Sequence, residues 1–206
     1  MDRLRPSWSR AWQAIGSPVD VPLFERLIGA WSEEHRRYHT LQHLEECLQR
    51  TARTAHLAMR PAEVELALWF HDAIYDVQRD DNETLSAGWL RQTALEADAP
   101  ADVAGRLHDL VMATSHAGVP STADEALLVD IDLAILGAPV ERFDEYERQV
   151  REEYAWVPEA DFRRARRRLL ADFLARPAIY RTAHLHGLLE APARANLARS
   201  LTQLER

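Results

Sequence analysis

The stretch that decides the fold is Leu66-Ala67-Leu68-Trp69-Phe70-His71-Asp72-Ala73-Ile74-Tyr75-Asp76. Its first five side chains are all apolar, so a helix over them shows water no polar face and is buried from end to end. The run then passes straight into an imidazole and a carboxylate. Burying a carboxylate beside such a core costs several kcal/mol unless it is paired or meets a cation. Two readings follow. Either His71 and Asp72 ligate a metal ion, or Asp72 bonds backbone amides at a helix end while His71 faces solvent.

Working outward, the chain is punctuated as helices are. Asp20 precedes Val21-Pro22, Arg60 precedes Pro61, Ala99 precedes Pro100 and Val157 precedes Pro158, each leading into apolar residues three and four apart. Only 7 glycines occur, none in a phosphate-cradling pattern, and no alternating β-branched run is bounded by turns. The expectation is an all-α protein with helices over Ser7 to Ile15, Val21 to Ser32, Tyr38 to Ala58, Ala62 to Ile74, Asn82 to Glu96, Ala101 to Ser115, Ala123 to Leu136, Val140 to Trp156, Glu159 to Ala175 and Pro192 to Leu204. With 206 residues, short connections and no low-complexity linker, one compact multi-helix domain over 1–206 is expected. Its metal-site core lies over about 31–156, with the helices of 157–206 packed on it.

Composition narrows the function classes. The 47% hydrophobic and 28% charged fractions are those of a globular chain, and no apolar run approaches the roughly 20 residues that span a bilayer. Residues Met1 to Arg10 lack a signal-like apolar stretch, so a cytoplasmic location away from membranes is expected. A net charge of −8 argues against duplex nucleic acid as a partner. All 25 basic residues are arginine, which excludes a Schiff-base lysine and suits bidentate phosphate contacts. Cys47 is the only cysteine, so no cysteine-based zinc cluster can be assembled and any metal must use imidazole and carboxylate, not a soft thiolate site.

Two further segments bear on such a site. In Tyr38-His39-Thr40-Leu41-Gln42-His43, a helix brings His39 and His43 to one face, with Cys47 following. Two histidines lining a helix flank, and a cysteine filling the core, are the alternatives. In Leu127-Leu128-Val129-Asp130-Ile131-Asp132-Leu133, two aspartates interrupt an apolar helix, so at least one needs a cation or an arginine. Asp132 is the preferred ligand and Asp130 the alternative. His184-x-His186 does not bring both rings to one helical face and adjoins no acidic cluster, so it is read as structural, and the second doublet His108-Asp109 lacks a preceding apolar run and is read as a solvated flank. The six tryptophans, from Trp8 to Trp156, read as core and interface filler.

Together His43, His71-Asp72 and Asp132 resemble the ligand order of the HD superfamily, named for that doublet. The Tyr38-His39-Thr40 start with His43 is similar to the amino-terminal metal motif of cyclic-nucleotide phosphodiesterases. Asp81-Asn82-Glu83, Thr114-Ser115-His116, Asp130-Ile131-Asp132-Leu133 with Leu136-Gly137, Val150-Arg151-Glu152-Glu153-Tyr154 and Ala193-Arg194-Ala195-Asn196-Leu197 resemble a bacterial family of metal-dependent HD phosphohydrolases. That resemblance spans Trp31 to Leu197 and bears on fold and metal more than on substrate.

It implies an HD-domain, phosphodiesterase-like helical bundle that hydrolyses a phosphoester of a nucleotide or other small phosphorylated metabolite. His43, His71, Asp72 and Asp132 would hold one divalent ion, or one of two, with Mn, Fe, Zn, Ni, Co and Mg all open. The ion would activate water, Asp76 would orient or deprotonate that water, and His39 would protonate the leaving oxygen. His116 would bind a second metal or the substrate, and Arg36, Arg37, Arg79 and Arg151 are candidate phosphate contacts. The competing readings are a di-iron oxygenase drawing extra ligands from His108 and His116, and a non-catalytic ligand sensor. Oligomeric state is left open, a homodimer included.

Overall fold

A computed structural model describes residues 3–17, 21–115 and 118–205. The protein is all-helical: among the described residues there are ten α-helices and no strand. They run Arg5–Ala14 (α1), Val21–Ala30 (α2), Leu41–Thr54 (α3), Pro61–Phe70 (α4), Asn82–Glu96 (α5), Ala101–Met112 (α6), Ala123–Asp132 (α7), Val140–Glu153 (α8), Glu159–Ala175 (α9) and Ala183–Leu204 (α10). No helix among the described residues is long and apolar enough to cross a membrane. The chain divides into two compact units, Met1–Ile131 and Asp132–Arg206.

The first unit is built around α4. Pro61 opens it with a preset φ and no donor to lose, and Val64 and the run Leu66 to Phe70 are each 0% exposed. Helices α1, α3, α5 and α6 all pack against it. Aromatic side chains fill the α1 side, with Trp8 5.2 Å from Trp69 and Phe24 6.0 Å from Trp69 between ring centroids. Buried charges fix the amino-terminal end of α4. Asp124 on α7 accepts the Met59 and Arg60 amides at 2.7 and 3.0 Å, and Glu63 takes a two-pronged bond from Arg106 on α6 at 2.7 and 2.8 Å. Four of the six tryptophans are buried in this unit, Trp89 is partly buried, and Trp156 is exposed.

Some boundaries differ from the sequence expectation, each for a local reason. The third helix starts at Leu41, because Thr40 is extended and its side chain accepts the Gln42 amide at 3.3 Å, a local N-cap. Helix α4 ends at Phe70, so His71 and Asp72 begin a loop. The expected helix over Ala123 to Leu136 tightens to 3₁₀ geometry from Leu133 to Gly137. Pro192 does not open the last helix but lies inside it. The residue four before it, Leu188, is 55% exposed, so the carbonyl deprived of its donor lies on a side that water can reach.

In the second unit, α10 packs against α9 and the 133–137 turn. Gly137 permits that approach: a Cβ there would sit 2.8 Å from both Cβ and the backbone oxygen of Leu189. Asn196 donates to the carbonyls of Leu136 and Ala138, both at 2.9 Å. Glu190 accepts the Ile179 and Tyr180 amides at 3.0 and 3.2 Å and the Arg194 guanidinium at 2.7 Å. Burial alone would push this carboxyl up, but the two amides and Arg194 outweigh it and hold it below the ordinary carboxylate range.

A carboxyl lowered by folding stabilises the fold above its unfolded pKa and loses that contribution as pH falls through the folded value. Glu190→Ala should therefore cost about 1–3 kcal/mol at pH 7. The gap from wild type, followed by urea denaturation, should hold down to about pH 5 and narrow below about pH 4. A gap that widens in acid contradicts this account.

Candidate metal centre

The carboxyl end of α4 presents His71. A helix end leaves carbonyls without intrahelical partners, and His71 uses one: its Nδ1 lies 2.8 Å from the Leu68 oxygen. A carbonyl only accepts, so Nδ1 carries a proton and Nε2 is the nitrogen turned outward. From α3, His43 sends its own Nε2 to within 3.1 Å of that atom. Its other nitrogen, Nδ1, lies 3.0 Å from the hydroxyl of buried Tyr38. Trp31 walls both rings, with centroids 6.3 and 5.5 Å away, and its Nε1 donates to the Trp69 carbonyl at 2.9 Å.

Asp72 brings charge to the same point. Its Oδ2 stands 3.0 Å from His71 Nε2 and 3.7 Å from His43 Nε2, with the side chain 15% exposed. Cys47, one turn beyond His43 on α3, is buried with Sγ 3.8 Å from both ring nitrogens of His43. Asp132 closes α7, a helix whose other nine residues lie in the first unit. One ligand atom from each of His43, Cys47, His71 and Asp132 lies within 4.8 Å of every other, a group able to hold a metal ion. Of the two aspartates in that helix, Asp132 joins this group, while Asp130 is wholly buried outside it.

The donor chemistry fits a cation. His71 Nε2 faces a second imidazole nitrogen and a carboxylate oxygen, all electron-rich, so the point between them calls for positive charge. A proton on Nε2 can bridge only one or two of these atoms, whereas a divalent ion serves them all. The residues that would hold it are His43, His71 and Asp132, with Asp72 and Cys47 adjoining.

Arg36 sets this geometry. Its buried guanidinium donates to the His39 carbonyl at 3.1 Å, the Asp72 carbonyl at 2.7 Å and the Ala73 carbonyl at 3.1 Å, while Nε reaches Glu33 at 3.0 Å. It thereby ties the loop before α3 to the loop after α4, a positioning role in place of the phosphate contact expected from sequence. His39, outside the helix, is half-buried and stacks on Tyr75 with centroids 4.0 Å apart, 6.0 Å from the His43 ring. It therefore does not share a helical face with His43. His35, which the sequence did not mark, bonds the Tyr75 carbonyl at 2.7 Å.

The remaining expected residues lie on loops and surfaces. Asp76 is exposed, and its carboxylate accepts the Gln78 amide at 2.9 Å. It does not follow Asp72 by a helical turn, because α4 has already ended. Arg79 pairs with Asp81 through two bonds of 2.7 Å, and Arg37 is exposed. Arg151, in the second unit, bonds Glu159 at 2.9 Å and the Val157 carbonyl at 3.1 Å. His108 lies 3.1 Å from Asp109 on a partly exposed flank. His116 falls outside the described residues. No family model matches the chain, and neither does any curated protein or solved structure.

Arg36→Met should remove the guanidinium and leave carbonyls of the two loops without their donor, lowering stability by about 2–4 kcal/mol. Chemical denaturation measures this. A loss below about 0.5 kcal/mol, the size of an ordinary surface change, contradicts the clamp.

Proposed function

We propose that this protein is a metal-dependent phosphohydrolase that cleaves a small phosphoester, nucleotide-like in kind, with water as the nucleophile. The observation that carries the reading is the meeting of His43 Nε2, His71 Nε2 and Asp72 Oδ2 at 3.0 to 3.7 Å beside a buried helix. A divalent ion held there supplies Lewis acidity toward a phosphoryl oxygen and makes water a better nucleophile at neutral pH. The resemblance of the histidine, His-Asp and Asp132 segments to HD phosphohydrolases supports the same reading.

The chain's own residues divide the work. Tyr38 and the Leu68 carbonyl fix the ring orientation of His43 and His71, so that neither has to reorganise during turnover. Trp31 excludes water from one side of the two rings. His39, half-buried and held against Tyr75, is the group to protonate a departing oxygen, since its pendant position beside His43 leaves it outside the ligand set. Arg37, exposed two residues before His39 and donating to the Glu34 and Arg36 carbonyls, is the candidate phosphate contact on this loop.

The test is a panel of phosphomonoesters, cyclic and linear diesters and nucleotides, assayed beside metal content. His43→Ala and Asp72→Ala should lose hydrolysis, with metal falling below stoichiometry in the first. His39→Ala should retain metal while kcat falls about 10²–10⁴-fold, the usual worth of a general acid. Stoichiometric metal with no hydrolysis of any of these substrates overturns the phosphohydrolase reading, and iron with oxygen consumption replaces it by an oxygenase.

A further inference from the structure

The geometry points to Cys47 as a metal ligand: we propose that its thiolate joins His43, His71 and Asp132 in a mixed nitrogen, sulfur and oxygen centre that prefers zinc or ferrous iron to magnesium or manganese. This rests on the metal centre described above, and it does not depend on the reaction being phosphoester hydrolysis.

Three observations carry it. The first is placement, since Cys47 follows His43 by four residues on α3 and so stands over the same face one turn on. The second is distance. A tetrahedral ion with bonds of about 2.0–2.1 Å to nitrogen and about 2.3 Å to sulfur holds two nitrogens about 3.3 Å apart and nitrogen and sulfur about 3.6 Å apart. The protein has 3.1 Å between His43 Nε2 and His71 Nε2, close to the first edge, and places Cys47 Sγ 3.8 Å from both ring nitrogens of His43, so that the thiol stands beside that ring.

The third is membership. Cys47, not Asp72, completes the four-residue group whose ligand atoms all lie within 4.8 Å of one another. Asp72 sits against the His71 edge at 3.0 Å and is left to orient a ligand or accept a proton beside the ion. Replacing one hard carboxylate by thiolate changes which metals are held. Carboxylate and water suit magnesium and manganese, whereas sulfur with imidazole suits zinc, iron and cobalt. A cysteine that merely fills the core would leave metal preference untouched when replaced by a residue of similar size.

Cobalt is the probe. Purified protein loaded with Co(II) should show an intense near-ultraviolet sulfur-to-cobalt charge-transfer band together with the visible d–d bands of a tetrahedral ion. In Cys47→Ser the charge-transfer band should vanish while d–d bands remain. Affinity for zinc should fall roughly tenfold or more, while that for manganese changes by less than about threefold. X-ray absorption at the zinc edge of the wild type should show one sulfur at about 2.3 Å. Far-ultraviolet circular dichroism of Cys47→Ser, unchanged from wild type, separates loss of a ligand from loss of fold. If cobalt binds with d–d bands and no charge-transfer band, the thiolate assignment is overturned and the metal centre stands. If wild type binds no cobalt at all, both are overturned.

Discussion

Two imidazole nitrogens 3.1 Å apart, His43 Nε2 and His71 Nε2, with a carboxylate oxygen 3.0 Å from the second, are the constraint on which the rest of this structure depends. His71 cannot relieve the crowding by exchanging its proton between nitrogens, because Nδ1 is committed to the Leu68 carbonyl. Nε2 is then the nitrogen left to face His43 and Asp72, and a divalent ion held there would serve every donor at once. An ion held there would offset the cost of burying these groups where they meet, and so account for acids beside so apolar a helix.

The scaffold makes that meeting possible. Helix α4 is wholly buried from Leu66 to Phe70, so its carboxyl end is held rigidly, and a ligand placed on its first residue beyond the end inherits that rigidity. Arg36 then ties the loop carrying Asp72 to the loop carrying His39, using a single planar donor for several carbonyls. The opposite end of α4 is fixed by other buried charges, Asp124 and Glu63. Stability and site geometry thus share one axis: a substitution that loosened α4 would move His71 as well as expose core.

Much of the fold could be read from residue order. The unbroken Leu66 to Phe70 run announces a buried helix, and proline marks the starts of α4, α6 and α9 within a residue or two. What could not be read was decided by local bonds. Thr40 captures the Gln42 amide and so expels His39 from α3, and Pro192 sits in mid-helix where the neighbouring turn is exposed. In the site, His43, His71 and Asp132 each carried a signal, as polar groups in apolar company. Arg36 and Cys47 were marked from sequence but given other roles, a phosphate contact and core filler, since an arginine among 25 and a cysteine on an amphipathic helix look ordinary until the third dimension gives them neighbours. The spacing of Cys47 from His43 was visible, but spacing alone does not separate a ligand from core filler.

The central claim is that side chains scattered from position 43 to 132 converge on one cation. Crystals of zinc-loaded protein, measured on both sides of the zinc absorption edge, test it most directly. A single strong anomalous peak is expected within bonding distance of His43 Nε2, His71 Nε2 and an Asp132 oxygen. A peak elsewhere, or an Asp132 carboxylate closed by an arginine with no ion between the two histidines, would contradict it.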